Sequence, residues 1–126
     1  MLADRSLRQA RAALETSKRT GTLVHFVNGR AHEFLLQVAD PNYLAVFADA
    51  VLAPIQQADP SGALLETLHC WFAEGRSIDA CSQRLGVHRH TVRNRIKRIA
   101  QVTGRNMDDV ETQTEYWLAL KADGFR

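Results

Sequence analysis

The chain has 126 residues, 45% of them apolar and 24% charged, with a formal net charge of +2. That length suits one ordinary domain or two small pieces, and that balance argues against disorder. Two cysteines fit a reducing compartment better than a disulfide scaffold. The start, MLADRSLRQAR, lacks the apolar stretch of a secretory signal, and no apolar run approaches the roughly 20 residues that span a bilayer. The expectation is a soluble cytoplasmic protein with no membrane partner.

The first predicted element is a helix over residues 4–19, where Leu7, Ala10 and Leu14 recur at spacings of three and four. Gly21 stops it. Thr22–Val27 is rich in β-branched and aromatic residues and runs into the turn signal Asn28-Gly29, which predicts a short strand. Glu33–Val38 reads as a short helix. Asp40-Pro41 marks a new helix with Pro41 at its first position. Tyr43, Val46, Phe47, Ala50 and Val51 form its expected apolar stripe. Pro54, Asp59, Pro60, Ser61 and Gly62 then read as a linker over 54–62, with a domain boundary after residue 58.

Four helices are expected beyond it. The first covers Ala63–Ala73, with Leu64, Leu65, Leu68, Trp71 and Phe72 on one broad apolar face and Gly75 as its stop. Ser77 caps a short helix over Ile78–Leu85, and Gly86 breaks it after two turns. A longer helix follows over Arg89–Thr103 and stops at Gly104. Asp108 or Asp109 caps a last helix to about Ala122, which is expected to bury Trp117 and Leu120. The fold class is therefore mainly α: a helical bundle preceded by a short helix-strand-helix segment.

Charge is distributed unevenly along this order. No Asp or Glu occurs between Asp79 and Asp108, while that gap holds Arg84, Arg89, Arg93, Arg95, Lys97, Arg98 and Arg105. A local basic run of this kind suits a polyanion. It coincides with SIDACSQRLGVHRHTVRNRIKRIAQVTG, two helices over a tight turn, which is the plan of a helix-turn-helix. Gly86 permits the positive φ of the turn. Val87 is placed to plug the angle between the helices, and Ser82 is small where they approach.

A helix advances about 100° per residue, so Ile96, Ile99 and Thr103 fall within about 40° of Val92 and face the core. His90, Arg93, Asn94, Lys97 and Gln101 fall on the opposite side. His90, Arg93, Asn94 and Lys97 are the candidate base-reading residues, because Arg and Lys donate to guanine and Asn pairs with adenine in the major groove. Arg89, Thr91 and Arg98 on the flanks, with Arg76 and Ser77 at the start of the short helix, are candidate phosphate contacts. Arg95 points nearer the core edge.

The string GVHRHTVRNRIKRIAQVTGR resembles the C-terminal helix-turn-helix of the PucR/CdaR family of bacterial regulators, a Fis-like unit. The family commonly shows an H-R-N-T-[LV]-R-x-R-[LI] core and then a T-G turn. Here it is His88 through Ile96, followed by Thr103-Gly104, with His90 in place of the usual Asn. The resemblance extends over roughly residues 61–122. It implies sequence-specific binding of double-stranded DNA by the output domain of a transcription regulator, placed on the nucleoid. Residues 1–58 resemble the tail of an upstream GGDEF-like regulatory domain plus a connecting helix, and 59–126 the DNA-binding domain. A strand at 22–27 without its sheet would favour pairing with another chain, hence an expected homodimer or swapped assembly.

Other chemistries lack support in the residues. Cys70, Cys81, His69, His88 and His90 do not come as the close pairs of structural zinc sites, so no metal or cofactor is expected. There is no P-loop, G-x-G-x-x-G or G-x-S-x-G, so no enzyme is expected. No small-molecule effector site is expected in this chain. The competing reading is a helix-turn-helix that binds protein rather than DNA.

Overall fold

A computed structural model describes residues 31–124, and the helix expected over 4–19 and the strand over 22–27 lie outside them. The described residues form six helices: α1 (Ala31–Val38), α2 (Pro41–Ala58), α3 (Ala63–Ala73), α4 (Ile78–Leu85), α5 (Arg89–Thr103) and α6 (Val110–Gly124). The chain divides into two compact units, Met1–Asp40 and Pro41–Arg126. The first contributes α1, which covers the short helix expected at Glu33–Val38. The second holds α2 to α6. No described helix is long and apolar enough to cross a membrane.

The second unit is organised around one core. Leu52 and Ile55 of α2 join Leu64, Leu68 and Trp71 of α3, Cys81 of α4, Val92 and Ile99 of α5, and Tyr116 and Ala119 of α6. The most extensive helix pair is α2 with α6. One expectation is corrected here. The linker predicted over 54–62 is helical up to Ala58, with Pro54 inside α2. Proline removes one helical hydrogen bond and crowds the preceding turn. Burial of Leu52 at 1% and Ile55 at 0% exposure on either side outweighs that local penalty. The second compact unit begins at Pro41 and so includes α2.

The expected apolar stripe of α2 holds only for Phe47 and Val51, which pack half-buried against the core. Ala48, Leu52 and Ile55 are the buried residues of this helix, whereas Tyr43 is 76% and Val46 66% exposed. The sequence YLAVFADAVLAPI is apolar on nearly every face, so periodicity alone does not choose one. In α6 the fully packed residues are Thr112, Tyr116, Ala119 and Ala122, while Trp117 and Leu120 are only half-buried. Lys121 Nζ lies 5.5 Å over the Trp117 ring, so this indole shares its face with a cation.

The helix ends follow local chemistry. Ser77 Oγ accepts the Ala80 N–H at 3.1 Å and so caps α4. Gly86 and Gly104 close α4 and α5 with φ of +68° and +67°. Asp109 Oδ2 accepts the Thr112 N–H at 3.3 Å and the Thr112 hydroxyl at 3.0 Å, capping α6.

Between α2 and α3, the Asp59 carboxylate takes the Ser61 hydroxyl and, at 3.0 Å, the Leu64 N–H. These bonds, that of Ser61 first, hold its pKa below the ordinary 3.8. A carboxylate acidified by folding stabilises fully above its unfolded pKa, and the gain is lost as pH falls through the folded value. Urea midpoints of the wild type are therefore expected to drop on acidification below about pH 4 more steeply than those of Asp59→Asn. Identical pH profiles would remove Asp59 as a source of acid sensitivity.

Candidate nucleic-acid interface

Helices α4 and α5 form the turn unit expected from the sequence, and α3 packs against both. Gly86 takes the left-handed conformation, and the Val87 N–H returns to the Ser82 carbonyl at 3.1 Å. Val87 packs half-buried against the core. His88 then begins α5: its backbone is extended and its Nδ1 accepts the His90 N–H at 3.1 Å. Val92 and Ile99 are fully buried and Ile96 is half-buried, which fixes the inward side of α5.

The outward side carries the candidate reading residues. His90, Arg93, Asn94 and Lys97 are all exposed. Among the described residues, the side chains of Arg93, Asn94, Lys97 and Arg98 have no hydrogen-bond or ion-pair partner. His90 differs from them, because its ring stacks on His88 with centroids 4.8 Å apart and planes 12° from parallel. One imidazole of this pair caps the helix while the other is presented at its first turn.

The remaining cations of the basic stretch are engaged elsewhere. Arg84 pairs with Glu74 at 3.0 Å and Arg105 with Glu115 at 2.7 Å. Arg105 also donates to Thr112 Oγ1 at 3.2 Å. Arg95 is half-buried and donates to Thr67 Oγ1 at 3.1 Å. Thus the fold consumes part of the charge that composition counts and leaves a smaller cationic face on α5. Neither carboxylate partner is near in sequence to the arginine it holds, so no local signal marks which cations remain free.

The candidate phosphate residues sit in mixed settings. Arg98 is exposed, Thr91 is half-buried, and Arg89 stands 3.9 Å from Asp79 in an exposed pair. Arg76 is in the left-handed region with φ +66° and donates to Gln113 Oε1 at 2.9 Å. The N–H groups of Arg76 and Ser77 are already bonded, to the carbonyls of Trp71 and Glu74. The unpaired donors expected there lie one step on, at Ile78 and Asp79, in the first turn of α4. A cleft of about 500 Å³ runs from this helix start to the outer side of α5, with Arg76, Ile78, Arg93, Ile96, Lys97 and Asp108 along it. It brings Arg76 to the same side as Arg93 and Lys97.

Burial pushes the Cys81 thiol up to about 12, with Cys70 beside it as the next cause. Cys81 is fully buried within the core cluster. Among the described residues, no three His, Cys, Asp or Glu side chains are grouped to hold a metal.

Two helices at a glycine turn, supported by a third and presenting a cationic outer face, define a helix-turn-helix unit. Residues 64–122 match the family model of the PucR C-terminal helix-turn-helix domain. The relatives include the transcriptional activator PmfR of Paenarthrobacter nicotinovorans, 34% identical over 57% of this chain and 16% of its own. The carbohydrate diacid regulator of Escherichia coli is 32% identical over 57% of this chain and 19% of its own. An uncharacterised protein of Mycobacterium tuberculosis is 35% identical over 68% of this chain and 20% of its own. The chain thus spans about a fifth of the length of these relatives. No solved structure matches it significantly.

Proposed function

We propose that the Pro41–Arg126 unit binds double-stranded DNA in the major groove through α5, as the output domain of a bacterial transcription regulator acting on the nucleoid in the cytoplasm. The observation that carries this reading is the exposed, unpartnered set Arg93, Asn94, Lys97 and Arg98 on the second helix of the motif, with no acidic residue in that helix. The match of residues 64–122 to that family model supports it, as do relatives named as a transcriptional activator and a regulator. In this reading His90, Arg93, Asn94 and Lys97 meet base edges. Arg76, Ser77, Arg89, Thr91 and Arg98 meet phosphates, with the open N–H groups at the start of α4 adding to Arg76. Asp79 in that first turn disfavours a phosphate, and Arg89 beside it offsets part of its charge.

One such unit buries limited surface, so the functional species is a homodimer on half-sites about one DNA turn apart. Light scattering at tens of micromolar reads that state directly, and a monomer there counts against the dimer without touching DNA binding. Residues 1–58 are assigned, within the same proposal, to the tail of an upstream regulatory domain and to a connecting helix, α2, that packs into the DNA-binding unit. Salt dependence tests the central claim. Each phosphate contact is expected to steepen the fall of log K with log salt by about 0.9. A flat response, or no binding to duplex at low salt, removes DNA as the partner and leaves a protein-interaction module.

A further inference from the structure

Resting on the DNA reading above, we propose that Arg95 is a positioning residue. Its hydrogen bond to Thr67 sets the rotation of α5 about its axis and thereby aims Arg93, Asn94 and Lys97. Arg95 lies about 60° from Val92 on the helical wheel, on the inward side, so its stem leaves α5 over the core edge rather than toward solvent. Its Nη1 reaches Thr67 Oγ1 at 3.1 Å. Thr67 is fully buried on α3, and its hydroxyl donates to the Ala63 carbonyl at 2.8 Å. That hydroxyl has one proton, spent on Ala63, and its lone pairs face Arg95, so donor and acceptor are matched. The Thr67 carbonyl in turn accepts the Cys81 thiol of α4 at 3.8 Å. A single residue of the support helix therefore holds both helices of the motif.

Apolar packing of Val92, Ile96 and Ile99 fixes which side of α5 faces inward, but it is non-directional. Base reading demands more, because a recognition constellation works only when held within about 0.5 Å and 10–20° of its productive geometry. A planar guanidinium bonded to a buried hydroxyl on the neighbouring helix supplies a directional restraint of that kind. The other cations of α5 do not share this arrangement: Arg89 stands in an exposed pair with Asp79, and Arg93, Lys97 and Arg98 are exposed and have no partner among the described residues.

The test uses the full chain, a duplex selected by the wild type from a random pool, and a scrambled duplex of the same length. Arg95→Met and Thr67→Val are each expected to lower the ratio of selected to scrambled affinity on the order of tenfold, the scale of one misread base. The double variant is expected to lose no more than either single one, because both remove the same bond. The salt slope on scrambled duplex is expected to stay at the wild-type value in all three. If Arg95→Met fails to fold, Thr67→Val carries the test alone, since it leaves the arginine and its charge in place. A salt slope reduced by about 0.9 in Arg95→Met, with Thr67→Val unchanged, makes Arg95 a phosphate contact and overturns the proposal. A lowered melting temperature with an unchanged affinity ratio makes the bond merely structural and overturns it too. A wild type that binds neither duplex overturns the DNA reading itself, a result distinct from either.

Discussion

Ile99→Ala is expected to lower the free energy of unfolding by about 2–5 kcal/mol. Ile99 is 0% exposed and belongs to the core cluster that also holds Leu68 of α3 and Tyr116 of α6. Truncation removes buried methyl and methylene groups and leaves a cavity that helices on several sides cannot all close. Total stability of an ordinary domain is about 5–15 kcal/mol, so the loss is a large share of it. Urea denaturation of the full chain should show a lower midpoint with an unchanged slope, which marks a loss of stability rather than of compactness. A loss below about 1 kcal/mol would mean that α5 does not pack through Ile99 as described.

Arg93→Ala is expected to weaken binding to a selected duplex by about 1–3 kcal/mol and to relax preference at one base position. The side chain is exposed and unpartnered, so its removal orphans no buried group, and folding stability should stay within about 0.5 kcal/mol of the wild type. Arg98→Ala is expected to behave differently. It should weaken binding to all duplexes alike and lower the salt slope by about 0.9, because a flanking cation meets phosphate and carries no base information. Repeating the random-pool selection with each variant separates the two outcomes. If both variants lose affinity evenly and keep the same base preferences, Arg93 is not on the reading face.

The helices of the candidate interface are largely legible in the sequence. The ranges Ala63–Ala73, Ile78–Leu85 and Arg89–Thr103 agree with α3, α4 and α5 because their ends are chemical events within a few residues. Ser77 accepts an N–H three positions on, and Gly86 and Gly104 adopt a backbone that other residues resist. The outward placement of Arg93, Asn94 and Lys97 likewise follows from the spacing of Val92, Ile96 and Ile99. Legibility failed where the deciding contact is distant. Pro54 and the polar residues after it look like a linker locally, yet α2 continues because Leu52 and Ile55 are buried in the core of the helix-turn-helix unit. Tyr43 and Val46 read as an inward stripe and are exposed, since Ala48, Leu52 and Ile55 compete for the core and win.

Thus the sequence alone determined the helix-turn-helix, its start and stop points, and the cation-rich outer side of α5. All of these depend on interactions within one or two helical turns. Only the tertiary structure decided which cations are left for a partner. Glu74, Glu115 and Thr67 claim Arg84, Arg105 and Arg95 across gaps of 10, 10 and 28 residues. Such pairings depend on where packed helices bring side chains together, and no local pattern encodes that. The free face that remains, Arg93, Lys97 and Arg98 with Asn94, is therefore smaller than the basic stretch suggests and is defined by the fold as much as by composition.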